Sequence, residues 1–124
     1  MGKAVSDVVL DAALDRVATA TRLVVCSSEP ANFAGISSVA LADATLTAGD
    51  GNGDFVVSNG DASGRKVRVA AQSDMAIDAT GTATHVTLDD GTTLLYVTTC
   101  TSQGLTSGGT VSTPAWDIEI ADPT

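Results

Sequence analysis

The run Trp116-Asp117-Ile118-Glu119-Ile120 alternates apolar and acidic residues with a strict period of two. Side chains on a strand point to opposite faces in turn, so one face of this run is buried and the other is wet. Similar short runs recur upstream, each bounded by turn residues. Thr82–Leu88 and Thr93–Cys100 flank Asp89-Asp90-Gly91, a turn with glycine available for a positive φ. Phe55-Val56-Val57 and Arg65–Ala71 flank Asn59-Gly60-Asp61, and Val67, Val69 and Ala71 alternate with Lys66 and Arg68. Met75–Asp78 and Arg22–Ser27 complete the set of strand candidates, and Val111–Pro114 leads into the final run. Strands every 8–12 residues or so, with turns between them, predict a mostly β protein: an antiparallel β-sandwich or barrel.

One segment breaks that period. Residues 5–20 read as an N-terminal α-helix, with Ser6 as N-cap and Asp7 in the first turn, where the helix dipole favours an anion. Asp7, Asp11 and Asp15 form a polar row at a spacing of four. Val5, Val9, Ala13 and Val17 line another face, flanked by Leu10 and Leu14. The stretch 31–53 is ambiguous, and Ser37–Leu46 fits a helical turn, a strand or a packed loop. No repeat or long linker divides the chain, so residues 1–124 are expected to form one domain.

The core must be built from small pieces, because Phe33, Phe55, Tyr96 and Trp116 are the whole aromatic complement. Aromatics bury more area than Ala or Val, so help from oligomerisation or docking is expected. The formal charge is −9, and every Lys and Arg lies at or before Arg68. Such a field repels phosphate, so nucleic acid and anionic membranes are not expected partners. No segment reads as a signal peptide or approaches the ~20 apolar residues of a membrane span. Production in a cytoplasm is expected.

Candidate chemistry is sparse, and neither catalytic residues nor a cofactor is expected. His85 is the one histidine and sits inside a strand candidate, where alternation places it with Ala83 and Thr87. Cys26 and Cys100 lie in strand-like runs and are expected as buried free thiols. Paired with His85, either would imitate a cysteine hydrolase, but neither is followed by the glycine-rich elbow or helix start that activates a thiolate. Zinc needs clustered ligands, and positions 26, 85 and 100 lack paired spacing. Asp50, Asn52, Asp54, Ser58 and Asp61 fall at positions 1, 3, 5, 9 and 12 of an EF-hand-like loop. Phe55 stands where that loop needs glycine, and Asp61 replaces the bidentate glutamate. Asp50, Asn52 and Asp54 are thus weak cation candidates, and a polar turn explains them as well. Asp117 and Glu119 share a strand face, as a glycosidase pair would, but Trp116 is turned away from them. Arg65, Lys66 and Arg68 are the basic cluster, and their expected use is an interface with the acidic surface of a neighbouring subunit.

The segment Gly81–Pro123 resembles the C-terminal region of small structural proteins of tailed bacteriophage virions. The resemblance rests on G-T-A-T-H-V-T-L, then L-L-Y-V-T, then L-T-S-G-G-T-V-S-T-P-A-W-D-I-E-I. Leu23–Pro30 and Asp61–Val69 fit the same kind of protein. The resemblance implies a β-rich virion part made in the host bacterial cytoplasm. A capsid decoration or cement protein, often trimeric and seated on the major capsid protein at the outer capsid surface, is the first expectation. A tail, neck or fibre component is the rival, and a carbohydrate-binding β-sandwich module is the alternative from another class. On the first reading Leu94, Tyr96, Trp116, Ile118 and Ile120 hold the platform, and the 49–54 loop and N-terminal segment are candidate docking elements.

Overall fold

The structure, a computed structural model, describes residues 3–123. In chain order the elements are α1 (Asp7–Val17), β1 (Arg22–Cys26), α2 (Phe33–Val39), β2 (Ala40–Thr45), β3 (Phe55–Asn59), β4 (Arg65–Val69), β5 (Gln72–Ala76), β6 (Gly81–Asp89), β7 (Leu94–Leu105), β8 (Thr110–Thr113) and β9 (Trp116–Ile120). The protein is mostly β, with antiparallel sheets and an N-terminal helix, as the periodicity predicts. The sheets are open, so a closed barrel is not formed. A second short helix, α2, occupies the segment that the pattern left ambiguous, with the Asn32 side chain accepting from the Gly35 N–H at 2.9 Å.

Contacts within the chain gather in two compact units. One takes the described residues up to Thr19, Thr47–Ala71 and the stretch from Pro114; the other takes Ala20–Leu46 and Gln72–Thr113.

The first unit is a three-stranded antiparallel sheet, in the order β3-β4-β9, with α1 packed on it. Ser6 caps α1 as predicted, accepting from the Val8 N–H. Register places Phe55 opposite Val69 and Val69 opposite Trp116, with Val57, Val67 and Ile118 in the next row on the same face. Phe55, Val67 and Val69 are fully buried there, with Leu10 and Leu14 of α1. The helix therefore turns differently from the expectation: Leu10 and Leu14 go inward, while Val9 is 60% exposed. Leu10 and Leu14 remove more apolar area from water than Val9 and Ala13 would, and Val5 and Val17 at the ends of the expected row are half-buried. The same rotation carries Asp11 to Arg65 of β4, with Nε to Oδ1 at 2.7 Å.

In the second unit, a four-stranded antiparallel sheet runs β2-β1-β6-β7, and a two-stranded ribbon pairs β5 with β8. β1 is an inner strand, and Leu23 through Cys26 are all buried, which its unbroken apolar run anticipates. Val24 and Cys26 pack with Ile36 of α2, joined by Phe33, Val39 and Leu94. The free side of β2 is bridged at Ala42 by Ile77, and the Asp78 N–H donates to the Leu41 carbonyl. β7 holds two bulges against β6. The first is near Leu95 and the second spans Cys100–Ser102, where β7 advances four residues while β6 advances two.

Candidate functional site

The basic cluster lies on β4 but splits between two faces. Arg65 shares the buried face with Val67 and Val69 and ties β4 to α1. Lys66 and Arg68 stand on the opposite face, level with Glu119 and Asp117 of β9. Lys66 Nζ lies 2.7 Å from Asp61 and 3.4 Å from Asp117, and Arg68 lies 3.4 Å from Asp117. The Asp61 hydrogen bond, followed by the one to Asp117, raises the Lys66 pKa against the opposing effect of burial. Arg65 is raised likewise, chiefly by its hydrogen bond to Asp11. All three cations thus have carboxylate partners within the chain. Glu119 Oε1 accepts from the Asp61 backbone N–H, so the acidic pair on β9 serves the 60–64 turn and the ladder beside it.

The acidic loop folds back on its own backbone. Asp50 Oδ1 accepts from the Val57 N–H at 2.9 Å, Asp54 Oδ2 accepts from the Thr47 N–H at 2.6 Å, and Asn52 Nδ2 donates to the Ala48 carbonyl at 2.8 Å. Gly51 also donates to the Phe55 carbonyl, so the loop closes over the free side of β3. Among the described residues no group of three or more His, Cys, Asp or Glu is placed to hold a metal ion.

His85 and Cys26 are register partners on β6 and β1, yet they do not form a nucleophile–base pair. The Thr84 hydroxyl donates to the Ser27 carbonyl at 2.9 Å, which leaves it to accept from His85 Nδ1 at 2.8 Å. The Cys26 thiol points to the Val24 carbonyl at 3.9 Å. Burial pushes this thiol upward, and the nearby Thr87 hydroxyl and Arg22 charge pull it partway back. The contact with Thr87 is loose, since Thr87 Oγ1 has no partner at hydrogen-bond distance. Burial also raises Cys100, which is half-buried; both cysteines are free thiols. A thiol held protonated is a poor nucleophile. His85 shares a face with Thr87, as expected, and the irregular pairing between Ala83 and His85 comes from the bulge in β7.

Sequence reasoning missed the most polar feature of the second unit. Asp89 is fully buried, and its Oδ2 accepts from Arg22 Nε at 2.9 Å while its Oδ1 accepts from the Gly91 N–H at 3.0 Å. The Arg22 guanidinium also lies 5.9 Å from the centroid of the Phe33 ring. Asp90 Oδ1 takes the Thr92 and Thr93 N–H groups, so adjacent aspartates hold one hairpin in two ways. Arg22 and Asp89 are 67 residues apart, and no local spacing signals their pairing. Beside them an open recess of about 500 Å³ is lined by Ala31–Ala34 and Thr92–Leu94. It holds no titratable side chain.

Of the platform residues, Leu94 and Tyr96 lie on β7, and Trp116, Ile118 and Ile120 lie on β9, in different units. No helix among the described residues is long and apolar enough to cross a membrane. No family model, curated protein or solved structure matches the chain.

Proposed function

We propose that this chain is a non-enzymatic structural part of a tailed-phage virion, a decoration or cement protein that binds the assembled head. The observation that carries the reading is the motif series from Gly81 to Pro123, G-x-A-T-H-V-x-L through P-A-W-D-I-E-I. In the fold this series supplies β6, β7, β8 and β9. Antiparallel open sheets and a chain charge of −9 suit a protein that stays soluble until it meets a larger surface. The mechanism is mass action: a protein that binds the assembled shell and not the dissociated one stabilises the shell by its binding free energy. Oligomerisation, with a trimer favoured, would multiply modest contacts into firm attachment.

The test mixes the purified chain with empty heads of the phage that encodes it, followed by sedimentation and thermal disruption. Saturable binding to heads, with a higher disruption temperature and no binding to free capsid subunits, supports the reading. A chain that ignores heads but joins tails, or that binds glycans, overturns it.

A further inference from the structure

The outward face of α1 is apolar. At about 100° per residue, Val8, Val9, Ala12 and Ala13 share one side of the helix, and Leu10 and Leu14 lie on the other. The inner pair is buried, while Val8 is 77% and Val9 60% exposed; Ala12 and Ala13 are exposed as well. A helix that covers one sheet needs one apolar stripe, and α1 carries two. Asp15 borders the outer stripe beside Val8 and Ala12, while Asp7 and Asp11 lie on the side toward Arg65 of β4. Asp11 is taken by Arg65, whereas Asp7 and Asp15 are exposed, about 12 Å apart along the axis. Arg16, at the end of the stripe, donates to the Thr19 hydroxyl at 2.7 Å.

We infer that this face of α1 docks on a protein surface with an apolar floor and a Lys/Arg-rich rim. Charge selects this occupant. A second copy brings another −9 and another aspartate row, so pairing through α1 sets like charges side by side. An anionic bilayer is disfavoured for the same reason, since helices that lie on membranes carry Lys and Arg on the polar face. A basic rim meets Asp15, while Val8 and Val9 enter the apolar floor and the two alanines permit close approach. The inference rests on α1 alone and needs no capsid, so it and the virion reading can fail separately.

The probes are two synthetic amphipathic helical peptides with the same Leu/Val face, one flanked by Lys and one by Glu. Backbone chemical shifts of the isotope-labelled chain report the site, and titration reports the affinity. The expected result is shifts centred on Val8–Ala13 with the Lys peptide and at least roughly tenfold weaker binding of the Glu peptide. Added salt should weaken the complex, since the rim contacts are solvent-exposed. The double variant Val8→Ser/Val9→Ser should lose binding with its circular dichroism spectrum unchanged, and Asp15→Asn should weaken the Lys peptide selectively. Equal binding of both peptides, shifts centred elsewhere, or binding that survives Val8→Ser/Val9→Ser overturns the inference. So does a dimer that Val8→Ser/Val9→Ser dissolves, or co-sedimentation of the chain with anionic phosphatidylserine vesicles.

Discussion

The central strands of the two main sheets solve the same problem differently. β4 has one buried face and one outer face, and its outer-face cations meet carboxylates in a ladder partly open to solvent, with the Lys66 side chain 17% and the Arg68 side chain 55% exposed. β1 is buried along Leu23–Cys26, and the cation at its start, Arg22, reaches a carboxylate that is fully buried. The contrast teaches where charge holds structure. Ion pairs in solvent gain little, because water competes for both partners. A buried carboxylate must keep its partners, because losing one leaves an uncompensated charge in a poorly polarisable setting.

The largest expected effect tests the apolar side of β4. Phe55 is fully buried, so Phe55→Ala should cost about 3–5 kcal/mol in urea unfolding, through lost burial and the cavity left behind. A loss near that of a surface change would place the core elsewhere. Next comes Arg22→Met, which removes the guanidinium from Asp89. About 2–3 kcal/mol is expected, below the ~3–5 kcal/mol of a wholly buried pair, because the Arg22 side chain is 37% exposed.

The thiols sharpen the comparison kinetically. Cys26 should resist a thiol reagent in the folded protein and react at the rate of opening, while half-buried Cys100 reacts sooner. Burial raises both folded pKa values. Their contribution is complete below the unfolded thiol pKa and is lost as pH rises through the folded values, so stability should decline above about pH 8.5–9. Replacing both by serine should flatten that decline. The smallest effect belongs to the open ladder: Arg68→Ala should change stability by less than ~1 kcal/mol, and added salt should erase the difference.

Much of the fold was legible because its signals are local. Alternation and turn residues marked β3, β4, β6, β7 and β9, and Ser6 marked the start of α1. The bulges in β7 were not legible, since they depend on pairing with β6 and Thr-rich sequence tolerates either register. α2 was missed for a related reason: Phe33–Val39 contains glycine and serines, which weaken a helix, and its packing on Val24 and Cys26 overrides that preference. The candidate residues were correctly located on strands or loops, but their partners were not. Asp50, Asn52 and Asp54 looked like ligands because polar turns and cation loops use the same residue types; backbone hydrogen bonds now account for them.

What the sequence by itself determined is the class: antiparallel strands, a capped N-terminal helix and a strongly acidic exterior. These follow from the two-residue period, from turn chemistry and from net charge, none of which requires a distant contact. The tertiary structure decided which way α1 turns, that Arg65 points inward while Lys66 and Arg68 point outward, and that Arg22 and Asp89 meet. Such choices depend on areas buried and charges matched between segments tens of residues apart, and no local pattern carries that information.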